Sequence, residues 1–292
     1  MIEFLSPNLL ALIAALSFAM AHVFYRDALG RMSVVAATAT VNATLCAGAV
    51  LIYLGSAGAP RWAPMGVALF ALVGVLGSFL GRYLNYLSIT FIGLARTHVL
   101  GQTMPVWSAA AAVLLLGERL RPGVVLGTLG ILAGALLLIQ ERKIGKKKVP
   151  ILYYAVALLG PLSLAWTPTI RKIAFSHLPS VPLGIAIAMG VGVVLNLGTW
   201  PLVEEKRART WTWSGVVRTM AGGLLNLVAA VSFWSAIKEG EVISVVPITR
   251  LSGLFVLAFS WIFFRKQERI TWRVVIGALI AVAGAAAIAR SG

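Results

Sequence analysis

The chain has 292 residues, of which 60% are hydrophobic and only 12% are charged, and its mean hydropathy is +0.93. A soluble domain carries about twice that charged fraction, so the composition excludes a soluble enzyme, a disordered tail and a secreted disulfide scaffold, and it indicates an integral membrane protein. The formal charge of +16 is typical of basic loops beside anionic lipid when so much of the sequence is apolar, and the lone Cys46 excludes an internal disulfide framework.

Apolar stretches long enough to cross a bilayer recur ten times along the chain. A spanning helix needs about 20 mostly apolar residues, whereas a membrane β-strand would appear as an alternating segment of roughly 10 residues. The stretches are therefore predicted to be helices. Their predicted limits are 8–26, 33–54, 65–86, 94–116, 122–139, 150–170, 181–203, 214–237, 242–264 and 272–289.

The longest polar stretch divides these spans into two sets of five that resemble each other. The segment ALSFAMA (15–21) aligns with PLSLAWT (161–167), and Glu118 aligns with Glu268. Because five is an odd number, the second set enters the membrane from the opposite side, so the halves are predicted to be inverted repeats around a site at the midplane. The predicted units are a first five-helix repeat at 1–140, a basic linker loop at 141–150 and a second five-helix repeat at 151–292.

Each repeat ends in a short acidic turn followed by a glycine-rich helix, and the spacing of Gly123, Gly127, Gly130 and Gly134 predicts that the fifth helix packs closely on a neighbour. These segments read GERLRPGVVLGTLGILAG (117–134) and KQERITWRVVIGALIAVAG (266–284). The paired motifs in corresponding places resemble the drug/metabolite transporter superfamily, specifically its EamA-type branch, and the resemblance extends over nearly the whole chain. It implies a ten-helix secondary transporter with a central cavity and no ATPase, and it does not name a substrate.

The distribution of Lys and Arg predicts the orientation in the membrane. Seven basic residues are assigned to the side that holds both termini and seventeen to the other side. The positive-inside rule then places the 141–150 loop in the cytoplasm of a bacterial-type inner (plasma) membrane, with both termini outside. Relatives of this type are usually drawn with their termini inside, so the two interpretations conflict, and we adopt the charge count.

No enzyme or nucleotide-binding signature is found in the sequence. It has no GxxxxGK[ST] phosphate loop, no HExxH motif and no GxSxG elbow. We therefore expect a protein that is not an enzyme, that uses no cofactor and no metal, and that is driven by a gradient. The expected partners are a small-molecule substrate and membrane lipid, not nucleic acid, and a homodimer is left open.

Arg250 is the strongest candidate for a substrate-binding residue. It falls near the middle of the ninth span, where even a lenient scale assigns an arginine a cost of about 2.5–3.5 kcal/mol. No Asp or Glu occupies the central two-thirds of any span, so we expect its planar guanidinium to bind a carboxylate or phosphate of the substrate. The alternative is that Arg250 caps carbonyls of a broken helix or pairs with a terminal acid such as Glu118.

Polar residues of the fourth span lie at a depth that matches Arg250. Gln102 and Thr103 align with Thr249 and Arg250, and inverted repeats bind their substrates at such a position. The alternative for Gln102 is an interhelical hydrogen bond. The full set of predicted substrate-binding residues is Arg250, Gln102, Thr103 and Thr249, with Trp107, Trp166, Tyr83, Tyr86 and Trp234 as an aromatic wall whose alternative role is ordinary packing.

Histidines and prolines inside the spans suggest how protons and conformational changes would be handled. Imidazole titrates near neutral pH, so His22 and His98 are candidate proton carriers, and for His98 a hydrogen bond between helices is the alternative. A proline removes a backbone hydrogen bond and bends its helix. Pro105, Pro168 and Pro247 are therefore interpreted as hinges, with static kinks as the alternative.

These observations predict an all-α membrane protein with ten transmembrane helices in two inverted five-helix repeats. The first, third, fourth, sixth, eighth and ninth spans would line the cavity, and the fifth and tenth would be peripheral. The predicted function is secondary active transport, by alternating access, of a small anionic or zwitterionic metabolite, most simply amino-acid export or export of a related carboxylate. The alternatives are a quaternary-ammonium or choline-like carrier with an aromatic box, a lipid-linked flippase, and a membrane enzyme that does not transport.

Overall fold

The structure, a computed structural model, describes most of the chain. The described residues are 5–28, 32, 34–56, 63–81, 84, 88, 100–101, 103–140, 151–199, 212–255, 259 and 272–291. Within these ranges the regular secondary structure is helical and no strand occurs. The all-α architecture predicted from the apolar stretches is confirmed.

Ten α-helices occur in the described part of the chain, and each overlaps a different one of the ten predicted spans. They are α1 Pro7–Ala28, α2 Val34–Leu54, α3 Pro64–Val73, α4 Met104–Leu116, α5 Pro122–Gln140, α6 Ile151–His177, α7 Val181–Thr199, α8 Trp213–Glu239, α9 Val242–Thr249 and α10 Trp272–Ser291. Helix α3 continues without a break into a π-helical segment at Gly74–Gly81.

Five of the described segments are long and apolar enough to cross a membrane, judged by length and composition alone. They are Pro7–Tyr25, Val35–Leu54, Pro64–Gly81, Val181–Thr199 and Trp213–Glu239. Helix α6 runs to His177, well beyond the predicted end of the sixth span at 170. Arg171 and Lys172, which count among the seven basic residues predicted for the side of the termini, therefore lie inside α6 and not in a loop, which corrects that prediction.

The helices pack in pairs that follow the repeat symmetry. Helix α1 packs on α8, and its counterpart α6 packs on α3 and its π-helical extension. Helix α2 packs on its counterpart α7, α4 on α9, and α5 on α10. The pair formed by α1 and α8 is therefore the repeat equivalent of the pair formed by α6 and α3. In each of the other three pairs, a helix packs on its own repeat counterpart.

Glycines bring α5 and α10 into backbone contact. A Cβ atom at Gly127 would lie 2.4 Å from the carbonyl oxygen of Gly284, and a Cβ at Gly134 would lie 2.3 Å from that of Gly277. Only glycine allows two helix backbones to approach this closely. The close packing predicted from the glycine spacing of the fifth span is confirmed, and the partner is its repeat counterpart.

Candidate substrate site

Helix α9 is interrupted at Arg250, in the middle of its span. The helix ends at Thr249, and a further helical turn follows at 252–255. The amides of Arg250 and Leu251 donate to the carbonyls of Pro247 and Ile248, at 3.0 and 3.1 Å, three residues back rather than four. These two bonds form a 3₁₀-like turn. It directly follows Pro247, whose missing amide hydrogen leaves the carbonyl of Ile243 without its α-helical partner.

The fourth span has a matching irregularity at Thr103, the residue that aligns with Arg250. Thr103 precedes α4, and its amide donates to the carbonyl of Leu100 at 3.0 Å. Pro105 stands at the start of α4, where a missing amide hydrogen costs little. The two repeats thus place an interruption at equivalent positions, as transporters built from inverted repeats do where they bind substrate.

The two interruptions face each other through Arg250 and Met104. The Nη2 atom of Arg250 contacts the Sδ atom of Met104, which is the first residue of α4. Arg250 lies eight residues after the start of α9, which corresponds to a depth of about 12 Å from that end of the helix. In a hydrocarbon layer of about 30 Å, the guanidinium group is therefore far from either surface.

Arg250 has no carboxylate partner among the described residues. Its Nε atom is buried without a hydrogen-bond acceptor. Glu118, the terminal acid considered as an alternative partner, instead accepts hydrogen bonds from the amides of Val242 and Ile243 at 2.9 and 3.0 Å. Its Oε1 atom also lies 3.2 Å from Nζ of Lys172. The carboxylate of Glu118 is therefore occupied at the start of α9 and does not pair with Arg250.

The hydroxyl groups of the two predicted threonine ligands donate to their own helices. Thr249 Oγ1 donates to the carbonyl of Val246 at 2.7 Å, and Thr103 Oγ1 donates to that of Leu100 at 2.6 Å. The indole Nε1 of Trp107 donates to Thr103 Oγ1 at 3.2 Å. In this conformation both hydroxyl protons cap carbonyls at the interruptions, so toward a substrate these oxygens can only accept hydrogen bonds.

The other predicted site residues lie in different environments. Trp107 and Trp166 have exposed side chains, whereas Trp234 is only 2% exposed and stacks on Phe70 with ring centroids 5.7 Å apart. Pro168 and Pro247 lie inside α6 and α9. His22 is exposed on α1 and meets the ring of Tyr25 edge-on at 6.0 Å. Gln102, Tyr83, Tyr86 and His98 lie outside the described residues.

Arg171 is a second cation inside the helical bundle, and it is not among the residues predicted from the sequence. Its side chain is 9% exposed, and its guanidinium carbon lies 4.4 Å from the ring centroid of Trp234 and 5.4 Å from that of Phe233. The apolar window ended at residue 170 because Arg171 and Lys172 are charged. The internal alignment contains a signal, because Arg171 aligns with Tyr25, which falls inside the first predicted span at 8–26.

A helical membrane bundle with two five-helix repeats and paired interruptions in its fourth and ninth spans defines a transporter of the drug/metabolite type. The chain belongs to the EamA-like transporter family, whose model matches residues 5–140 and again residues 151–290. The protein is therefore a multi-pass membrane transporter.

A comparison with solved structures agrees on the fold. One crystal structure is similar over 97% of this chain and 98% of its own chain, with a TM-score of 0.82 and a sequence identity of 17%. At that identity the likeness shows a common fold and says nothing about the transported substrate. No curated protein matches the chain.

Proposed function

We propose that this protein is a secondary active transporter that moves a small anionic or zwitterionic metabolite across the membrane by alternating access, most simply an amino acid or a related carboxylate. The observation that carries the proposal is the guanidinium of Arg250, which lies deep in the bundle at the interruption of α9 without a described carboxylate partner. A substrate carboxylate would supply the missing negative charge.

The energies support this assignment. A guanidinium in the hydrocarbon layer costs about 2.5–3.5 kcal/mol on a lenient scale. A hydrogen bond to a charged group contributes about 1.5–3 kcal/mol, and a carboxylate can accept two of them from the guanidinium fork. Binding of an anion would therefore offset the cost of the buried cation, whereas a plain cation would be repelled in this low dielectric.

The interruptions at Thr103 and Arg250 support alternating access. They lie at equivalent positions of the two repeats and contact each other through Met104. Movement of one repeat against the other would open the region around Arg250 to one side and then to the other. Pro247 and Pro105 leave backbone positions near the contact without amide hydrogens, and such positions bend more easily than a continuous helix.

The quaternary-ammonium alternative is less well supported because of Arg171. A cation–π box needs an open aromatic face, and one face of Trp234 already carries the guanidinium of Arg171 at 4.4 Å. A second cation would meet both an occupied ring and a like charge.

We also propose export from the cytoplasm of a bacterial-type inner membrane, with the 141–150 loop on the cytoplasmic side. Removing Arg171 from the loop residues lowers the basic count on the side of the termini, so the charge asymmetry increases. A reporter fused to the C-terminus, active only outside the cytoplasm, tests the orientation. Activity of a cytoplasmic reporter at the same position would contradict it.

A thermal-shift screen of the purified full chain tests the substrate class. Amino acids, organic anions and organic cations would be compared on the wild type, on Arg250→Gln and Arg250→Lys, and on the control Arg119→Gln, which removes an exposed arginine between α4 and α5. We expect an anion or zwitterion to stabilise the wild type and the control equally. Arg250→Gln should weaken its binding at least about tenfold, equivalent to 1.4 kcal/mol. Stabilisation by quaternary amines alone, or full anion binding by Arg250→Gln, would refute the proposal.

A further inference from the structure

Arg171 is a second buried guanidinium, and the proposed function gives it no role. It lies on α6 between the aromatic side chains of α8 and the π-helical segment that extends α3. On one side the ring of Trp234 is 4.4 Å from the guanidinium carbon. On the other, Nη2 lies 3.9 Å from the point where a Cβ atom of Gly77 would stand. Spans three, six and eight therefore meet at this cation.

The aromatic contacts do not involve the hydrogen-bond donors of Arg171. Aromatic rings attract the faces of a guanidinium group, but its five N–H donors point outward in its plane. Its Nε atom is buried and has no acceptor in the described part of the chain. A buried cation is costly unless it is both paired and hydrogen-bonded, and the rings alone meet neither requirement.

No described acidic side chain neutralises Arg171. The acids with described side chains pair with other cations: Glu118 with Lys172, Glu239 with Lys238, and Glu241 with Arg121. The contrast with its neighbour is informative, because Lys172 takes the carboxylate of Glu118 while Arg171, one residue earlier on α6, is directed into the bundle.

Arg171 and Arg250 lie at similar depths on neighbouring helices. The guanidinium of Arg171 lies against Trp234, five residues before the end of α8, and Arg250 is eight residues after the start of α9, so the two positions lie about 8 and about 12 Å from the turn that joins these helices. Lys172, the residue after Arg171, donates from Nζ to the carbonyl of Gly240 in that turn. Helix α4 packs against both α6 and α9. Two guanidinium groups without a carboxylate partner among the described residues thus lie at similar distances from one turn, on helices that share α4 as a neighbour.

We infer that Arg171 is a second anion-binding residue of the transport site and that the substrate is a small dianion, with one negative group for Arg250 and one for Arg171. A dicarboxylate and a phosphate monoester share this chemistry. The inference rests on the proposed function and narrows its substrate class, because a single carboxylate would leave one of the two guanidinium groups uncompensated.

Ligand binding to the purified full chain tests the inference. Butyrate serves as the monoanion, and succinate and glycerol 3-phosphate serve as the two dianions. The proteins are the wild type, Arg171→Gln, Arg171→Lys, Arg250→Gln and the exposed-arginine control Arg119→Gln. Each affinity is measured by thermal shift across a concentration series, and the ratio of dianion to monoanion affinity is compared between proteins. That ratio does not depend on the fraction of protein that is folded.

We expect the wild type to bind one of the dianions at least about tenfold more tightly than butyrate. Arg171→Gln should lower the affinity for that dianion at least about tenfold and leave butyrate within about threefold. Arg171→Lys keeps the positive charge but lacks the planar fork, so its affinity for the dianion should lie between those of the wild type and Arg171→Gln. The dianion that is preferred, succinate or glycerol 3-phosphate, identifies the second group as a carboxylate or a phosphate.

Two results would overturn the inference and leave the proposed function standing. One is a wild type that binds butyrate and a dianion equally. The other is an Arg171→Gln protein in which both anions lose affinity equally, or neither does, while Arg250→Gln still weakens both. If no anion binds the wild type at all, the proposed function fails as well.

Discussion

The carboxylate of Glu118 lies 3.2 Å from the ammonium group of Lys172 and joins the turn after α4 to α6. The same carboxylate accepts the amides of Val242 and Ile243, the first two residues of α9. A helix N-terminus carries a partial positive charge and unpaired amide hydrogens. The carboxylate of Glu118 therefore both pairs with the ammonium group of Lys172 and accepts hydrogen bonds from the free amides at the start of α9. The end of α4, the interior of α6 and the start of α9 are thereby fixed to each other beside the candidate site.

Replacing Glu118 should destabilise the fold. Its side chain is only 7% exposed, and removing one partner of a buried pair costs about 3–5 kcal/mol. Glu118→Ala should therefore lower the free energy of unfolding by about 3 kcal/mol, and Glu118→Gln by less, because the amide oxygen can still cap α9. Thermal unfolding of the purified protein measures both changes.

The control for this experiment is Glu239→Gln. Glu239 also lies 3.2 Å from a lysine, Lys238, but its side chain is exposed, and such surface pairs contribute about 0–1 kcal/mol. If Glu118→Gln and Glu239→Gln lower the free energy of unfolding equally, the contacts of Glu118 contribute no more to stability than an exposed ion pair does.

The backbone contact between α5 and α10 should be sensitive to a single methyl group. A Cβ atom at Gly127 would lie 2.4 Å from the carbonyl oxygen of Gly284, so the helices must separate in Gly127→Ala. We expect a loss of about 1–3 kcal/mol in the free energy of unfolding, the usual cost of overpacking. Thermal unfolding checks the value.

Gly198→Ala is the matched control for this contact. Gly198 lies in α7, and nothing stands within 4 Å of the position that its Cβ would take. Alanine favours a helix over glycine by up to about 1 kcal/mol, so Gly198→Ala should be neutral or slightly stabilising. If Gly127→Ala behaves in the same way, the close approach of α5 and α10 is incorrect.

The sequence predicted the helices and their repeat because both are local or internally repeated properties. An apolar stretch of sufficient length can only be a helix in a bilayer, and the alignment of Glu118 with Glu268 needs no three-dimensional information. The glycine spacing in α5 predicted a close neighbour. It could not name α10 as that neighbour, because the identity of a packing partner depends on contacts between distant parts of the chain.

The candidate site was less predictable for the same physical reason. Glu118 and Val242 are 124 residues apart, so no local pattern connects them, and a hydropathy window ends at the first charged pair whether or not the helix continues. The hydrogen bonds that the hydroxyl groups of Thr103 and Thr249 donate are an exception, because they are local. Serine and threonine commonly donate to carbonyls three or four residues earlier, so the use of both hydroxyls within their own helices was predictable from the sequence.

Pro247→Ala tests whether the interruption of α9 serves the transport cycle. Alanine supplies the amide hydrogen that proline lacks, and a proline inside a helix costs about 3 kcal/mol, so the variant should have a stiffer ninth span. We expect the exchange rate in proteoliposomes to fall severalfold for the most stabilising anion of the thermal-shift screen, while its affinity changes little. Pro182→Ala is the control, because Pro182 stands in the first turn of α7, where proline is well tolerated. A normal exchange rate in Pro247→Ala would mean that the kink is static.

Arg250→Met should stabilise the ligand-free protein while it abolishes anion binding. A long apolar side chain removes the cost of the uncompensated cation and retains packing against Met104, so the free energy of unfolding should rise by about 1–3 kcal/mol. Lys172→Met should do the opposite, because it leaves the buried carboxylate of Glu118 without its cation. Thermal unfolding without ligand compares the two variants, and an anion titration follows binding. If Arg250→Met unfolds at a lower temperature than the wild type, Arg250 is already compensated inside the protein, and no negative charge is required of the substrate.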